Sequence, residues 1–283
     1  MSEECKAFNG AFEHEFHFES YGVRVKIESN SQWLLEEIRQ VVITALVNRV
    51  VFIDNPGGTL KHTFGIAFDG KNYILYINGE RISQNESAKA FFKYLNSRLR
   101  IEVAEYAESN VFLHAGAVGW KGQAILIPAN SFAGKTTLTA ELVKNGAEYY
   151  SDEYAVLDEF GRLHPFPRKL SMRGLVAGDE EQVSAHELGG QSGEEPIPVG
   201  MVLLTTFEKG ATWNPKVLSA GKGILEIIPQ TIPILQSAEF SLKVLELVAR
   251  RAIIVQSPRG DAKNFAKTLL AFFDNHTKLA EVT

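Results

Sequence analysis

The chain has 283 residues, 45% of them hydrophobic, and a net charge of -5, which predicts a folded protein with apolar content for more than one core. The acidic balance excludes a general nucleic-acid binder, since such proteins present a basic face to phosphate backbones. No apolar run approaches the roughly 20 residues that span a bilayer, the segment Met1 to Lys6 is too acidic for a secretory leader, and the lone Cys5 cannot close an internal disulfide. The expectation is a cytoplasmic protein with neither a membrane nor a nucleic-acid partner.

In chain order, alternating Phe12, Phe16, Phe18 and then Val23, Val25, Ile27 predict half-buried strands. A helix is expected over 32–48, where Leu34, Leu35, Ile38, Val41, Val42, Ala45 and Leu46 form an apolar stripe. Strands over 63–68 and 72–77 flank the hairpin signal Asp69-Gly70, and a second helix over 87–104 carries Phe91, Phe92, Leu95 and Leu99. His14 and His17 fall on opposite faces of their strand and predict no shared metal. With no chemistry-bearing motif, residues 1–108 read as an α/β accessory or substrate-presenting domain.

Residues 109–283 read differently. Val111 to Val118 predicts a strand, Lys121-Gly122 a turn, and Ala124 to Pro128 a second strand running into a small-residue loop and a helix from Thr137 to Lys144. Asn145-Gly146 stops that helix, and the strand Ala147 to Ser151 ends on Asp152 and Glu153. A hairpin follows with its turn at Glu159 to Gly161, then a proline-bearing strand over 165–172 and Arg173-Gly174. The Gly-, Glu- and Ser-rich stretch 177–199 is expected as a mobile loop, followed by a strand over 200–206, a helix over 237–250, a strand over 252–256 and a final helix over 261–274.

The loop between the second strand and its helix carries the chemistry. Ala129, Asn130, Ser131, Phe132, Ala133, Gly134, Lys135 and Thr136 form a P-loop pattern with Thr137 opening the helix. A tight turn at a helix N-terminus aims backbone N–H groups at phosphate, Lys135 reaches the terminal phosphates, and the Thr136 hydroxyl can ligate Mg²⁺. Ala129 stands where the first glycine is usual and a bulky Phe132 sits within the loop. Asp152 and Glu153 lie at a strand end next in sequence to this helix, where an α/β sheet collects ligands. Phosphoryl transfer asks for positioning, Mg²⁺ and a carboxylate that accepts a proton, so Asp152 is the candidate base, Thr136 with Glu153 and Asp152 the candidate metal ligands, and Arg173 a candidate anion holder. His114 lies on a strand expected to pair with the P-loop strand and can reach the same place.

Leu113-His114 to Val118, Gly134-Lys135-Thr136, Gly146 to Ser151-Asp152-Glu153, and Met172-Arg173-Gly174 resemble, in that order, the catalytic domain of the HPr serine kinase/phosphorylase family. The resemblance covers residues 110–176 closely and the remainder of the C-terminal half loosely. It implies a fold like phosphoenolpyruvate carboxykinase and transfer of phosphate from ATP to a serine hydroxyl. It further implies nucleotide and Mg²⁺ roles for Lys135 and Thr136, the base role for Asp152, a metal role for Glu153, and supporting roles for His114 and Arg173. Glu153 stands where the family has a second aspartate, and no segment matches the part of the bacterial enzyme that grips HPr, which implies another acceptor.

The leading expectation is therefore a Mg-ATP-dependent kinase acting on a hydroxyl, serine first, of a peptide, protein or small molecule. A non-catalytic ATP-binding regulatory or assembly protein and a carboxykinase-like small-molecule enzyme are the alternatives. Base preference, phosphorolysis, the role of residues 1–108 and homo-oligomerisation stay open.

Overall fold

A computed structural model describes residues 12–54, 60–129, 134–173 and 180–280, and the chain divides into two units, Met1–Glu108 and Ser109–Thr283. Both are mixed α/β. Among the described residues no helix is long and apolar enough to cross a membrane.

In the first unit the alternating sequence becomes β1 (His14–Ser20) and β2 (Val23–Ser29), which pair antiparallel across Tyr21 and Gly22, both at positive φ. Phe18, Val25 and Ile27 are fully covered. The chain continues through α1 (Gln32–Ala45), β3 (Val51–Ile53), β4 (His62–Phe68), β5 (Tyr73–Ile77), β6 (Glu80–Asn85) and α2 (Ala88–Tyr106). The sheet order is β3-β1-β2-β4-β5-β6, with β2 and β4 parallel. The turn between β4 and β5 is shaped by Asp69, whose Oδ1 accepts the N–H groups of Lys71 and Asn72, an Asx turn that leaves Gly70 at φ 95°. Leu34, Leu35, Ile38 and Val42 of α1 and Phe91, Leu95 and Leu99 of α2 bury their stripes in one cluster with the sheet, each such side chain contributing about 1.5–3 kcal/mol.

The second unit runs β7 (Asn110–Trp120), β8 (Gln123–Pro128), α3 (Lys135–Lys144), β9 (Glu148–Ser151), β10 (Tyr154–Asp158), β11 (Arg162–His164), β12 (Leu170–Arg173) and β13 (Glu180–Val183). It closes with β14 (Ile197–Leu204), β15 (Lys216–Val217), α4 (Ala220–Ile227), α5 (Ala238–Arg251), β16 (Ile253–Gln256) and α6 (Ala262–Ala280). The main sheet has the order β11-β10-β7-β8-β14-β16-β15, with β9 also paired to β7. One apolar cluster joins Leu138, Leu142 and Val143 of α3 to Phe265, Leu269 and Phe273 of α6, and another joins Ile227 of α4 to Val244, Leu245 and Val248 of α5. β14 is parallel to both β8 and β16, whereas β7 runs antiparallel to β8, β9 and β10. Hence β8, β9, β14 and β16 all end on one side of the sheet, where α/β proteins build ligand sites.

Two stretches of the second unit run against what the sequence predicts. The proline-bearing strand forms only from Leu170, because Pro165 and Pro167 cannot donate to a ladder; the intervening Phe166 N–H instead bonds the Tyr150 carbonyl at 3.0 Å. Of the stretch read as a mobile loop, 177–179 lies outside the described residues, and the rest is built into the fold. Glu180–Val183 pairs with β12, Ala185 is buried, and Ser192 bridges to Tyr149. Its glycines serve close packing: a Cβ on Gly190 would stand 2.4 Å from Val143 Cγ1, and one on Gly193 2.1 Å from the Tyr150 ring.

Candidate functional site

The site grows from the way β8 hands over to α3. Asn130, Ser131, Phe132 and Ala133 lie outside the described residues; Ala129 on one side and Gly134 on the other frame them. Gly134 is the N-cap of α3 at φ 79°, ψ 21°, a left-handed conformation that suits glycine, and among the described residues no side chain caps the helix. The first-turn N–H groups and the positive end of the helix dipole therefore face the region after β8 without a side-chain acceptor, an arrangement that favours an anion. Thr137, in that turn, is exposed.

Lys135, the first residue of α3, is buried at 9% exposure, and its Nζ lies 3.0 Å from His114 Nε2 on β7. An ammonium only donates, so the imidazole accepts at Nε2 and carries its proton on Nδ1. Burial pushes the His114 pKa down and the Lys135 charge pushes it further, against the pull of Glu153 and a hydrogen bond with Gln230. Burial likewise lowers the Lys135 pKa, opposed by Asp152 and Glu153. A glycine makes this approach possible: a Cβ on Gly116 of β7 would stand 2.5 Å from Thr139 Oγ1 and 3.0 Å from Lys135 Cγ.

Asp152 and Glu153 occupy a break between two strands that share β7 as partner. β9 pairs with Ala117 to Gly119 and β10 with Asn110 to His114, while the Ala115 N–H bonds the Glu153 carbonyl between them. Ser151 turns the chain here, its Oγ accepting the N–H groups of Glu153 and Tyr154. The break separates the two carboxylates. Asp152 Oδ2 accepts the Thr136 hydroxyl at 2.7 Å, and its buried Oδ1 has no hydrogen-bond partner among the described residues. Glu153 instead pairs with Arg168 Nη1. The Asp152 pKa is raised to about 6, first by burial and then by Glu153, with the Thr136 hydrogen bond and the Lys135 charge opposing.

His114, Lys135, Thr136, Asp152 and Glu153 thus converge at one end of the sheet. Arg173 ends β12 with its backbone in register with Glu180, and its side chain lies outside the described part of the structure. Two arginines that sequence reasoning did not single out stand beside the site. Arg168 holds Glu153, and Arg259, in the loop after β16, donates from Nη2 to the Gly134 carbonyl at 2.8 Å. The available signal for Arg259 was its position: a basic residue three positions after the end of a strand read over 252–256.

The donor set at the head of α3, a hydroxyl and a carboxylate with a buried unpartnered oxygen, fits a hard cation such as Mg²⁺. Among the described residues no group of three or more His, Cys, Asp or Glu side chains is arranged to hold a metal by itself. Such a cation would need ligands from another source, as Mg²⁺ does when it is carried by substrate phosphates.

No protein-family model and no curated protein matches the chain. Among solved structures the chain is similar to the HPr(Ser) kinase/phosphatase from Coxiella burnetii, at 15% identity, with 60% of this chain and 98% of that chain covered and a TM-score of 0.37.

Proposed function

We propose that the chain is a Mg-ATP-dependent phosphotransferase that moves the γ-phosphate of ATP to a hydroxyl, serine first, of a peptide, protein or small molecule. The observation that carries this reading is the convergence of Lys135 and Thr136, at an uncapped helix N-terminus, with Asp152. The α3 N–H groups and Lys135 bind the phosphates, and His114 orients the lysine by accepting its hydrogen bond at 3.0 Å. Thr136 and Asp152 are the residues that would hold Mg²⁺, with Glu153 reaching it through water. When bound, the cation neutralises charge on the transferred group.

Asp152 Oδ1 accepts the proton of the acceptor hydroxyl as the new O–P bond forms, the β–γ bridge breaks and ADP departs. A carboxylate with a pKa of about 6 is mostly ionised at neutral pH yet basic enough to take a proton.

Two measurements test the reading. Mg-ATP at about 100 times its dissociation constant adds roughly 2.7 kcal/mol of stability, so the wild type should show a thermal shift that Lys135→Ala loses. Incubation with γ-labelled ATP and a panel of serine-containing peptides and small hydroxyl compounds should then move label to an acceptor. Absence of a shift in the wild type overturns nucleotide binding. A shift with ATP left intact against every acceptor favours the non-catalytic ATP-binding reading, to which Ala129 and Phe132 in the loop lend sequence support.

A further inference from the structure

Among the described residues Arg259 is the most deeply covered arginine of the second unit, at 2% exposure, and it stands against the N-terminus of α3. Its Nη2 donates to the Gly134 carbonyl at 2.8 Å and its Nη1 to the Gly260 carbonyl at 3.0 Å. Its guanidinium lies 5.6 Å from the Phe207 ring centroid, and its buried Nε has no hydrogen-bond partner among the described residues. Carbonyls and a ring spread the charge but do not neutralise it. Among the described residues no carboxylate lies within ion-pair distance, and burial lowers the Arg259 pKa with only Asp261 opposing. Asp261 itself is engaged at Oδ1 by the Lys263 N–H.

The backbone holds this arginine in place. The Arg259 N–H bonds the Thr206 carbonyl and the Glu208 N–H bonds the Arg259 carbonyl, so the loops after β14 and β16 present it together. Two independent observations then meet at Gly134: an uncapped helix N-terminus that favours an anion, and a buried cation with a free donor. Acidic residues stand in its neighbouring loops, Glu208 and Asp261, yet among the described residues neither is within ion-pair distance of it, and the guanidinium rests against the first turn of α3.

We infer that Arg259 is a phosphate-binding and positioning residue of this site, the counter-ion of its guanidinium being a phosphate group held at the N-terminus of α3. This rests on the nucleotide reading above. Arg259 then has two effects: its Nη2 fixes the Gly134 carbonyl, and its charge attracts the polyphosphate into the region between the ends of β8, β14 and β16.

The test compares wild type, Arg259→Met and Arg259→Lys by calorimetry with Mg-ATP and with Mg-pyrophosphate. The Nε–H resonance of Arg259, assigned by its loss in Arg259→Lys, is followed in the wild type as pyrophosphate is added. Expected are at least a tenfold weaker affinity of Arg259→Met for both ligands, the size of one charge-assisted hydrogen bond, partial recovery in Arg259→Lys, and a shifted Nε–H signal. Wild type that binds neither ligand overturns the nucleotide reading and this inference with it. Wild type that binds while Arg259→Met binds within about twofold, a difference too small for a lost charged contact, overturns this inference alone. Should Arg259→Met fail to fold, an Nε–H resonance unmoved at saturating pyrophosphate overturns it, because a purely structural arginine would not sense the ligand.

Discussion

Two clusters, one in each unit, treat buried charge in opposite ways. In the first, His62 Nδ1 faces Glu102 Oε1 at 2.8 Å, both side chains are largely covered, and Tyr106 lies over the imidazole at 4.5 Å. The ionisable groups satisfy each other. At the head of α3, Lys135 meets a neutral imidazole, Asp152 keeps a buried oxygen without a partner, and Arg259 meets carbonyls. Buried polar groups are costly unless matched, so the contrast agrees with the proposal that the second cluster is organised around a charged ligand and the first around the fold.

The comparison breaks most easily at Lys135. Lys135→Ala should lower phosphoryl transfer by about 10³-fold, the scale of losing a charge clamp on the transferred phosphate, in a steady-state assay with a found acceptor; unchanged turnover would remove the site from the chemistry. Asp152→Asn comes next. Loss of a general base should cost about 10²- to 10⁴-fold in transfer, yet the same change should stabilise the free protein. With a folded pKa of about 6 against an ordinary 3.8, the protonated acid is the form the fold prefers. Its stabilisation is complete below the lower value and is lost as pH rises through the higher one, so up to about 3 kcal/mol separates the two limits. Urea melts should therefore show Asp152→Asn more stable than wild type at pH 8, with the gap closing near pH 4. A gap that widens toward acid would mean that Asp152 is held ionised by a partner.

Gly116→Ala sharpens the same picture through packing. Its new methyl would stand 2.5 Å from Thr139 Oγ1, and overpacking of this kind costs about 1–3 kcal/mol. Because α3 must shift, Mg-ATP affinity should fall with stability; a destabilised variant with wild-type affinity would uncouple the helix from the site. The smallest effect belongs to the first unit. Glu102→Gln should cost about 1 kcal/mol, the worth of one hydrogen bond, measured by chemical denaturation, and should leave Mg-ATP affinity unchanged. A change in affinity there would contradict the division of labour between the two clusters.

Much of this is legible in the sequence because it is local. Phe16, Phe18, Val25 and Ile27 alternate, and β1 and β2 form as that alternation demands. Asp69-Gly70 turns β4 into β5, and the apolar stripes of α1 and α2 fall within a few residues of their expected spans. The edge strands β3 and β6 were missed because Val51 and Phe52 are exposed and β6 alternates only between exposed and half-buried positions, so neither carries a core pattern. Lys135, Thr136 and Asp152 were readable because one strand-loop-helix-strand run brings them together. The partner of each carboxylate was not. Glu153, expected to serve the metal directly or through water, also pairs with Arg168, a partner the sequence order did not reveal. Arg259 stands 125 residues from Gly134, and only the parallel order of β8, β14 and β16 makes them neighbours.

That parallel order has a mechanical side. The Ser257 N–H bonds the Leu204 carbonyl, Thr205 Oγ1 bonds the Ser257 carbonyl, and Arg259 and Glu208 add further cross-links, so the loops after β14 and β16 are stitched into one plate. Arg259 rivets that plate to the first residue of the α3 cap. A pull on Gly134 is therefore felt at the ends of β14 and β16 at once. Slowed amide exchange caused by a ligand at α3 should spread to 205–208 and 257–260, with residues far along the chain reporting a load applied at a single turn.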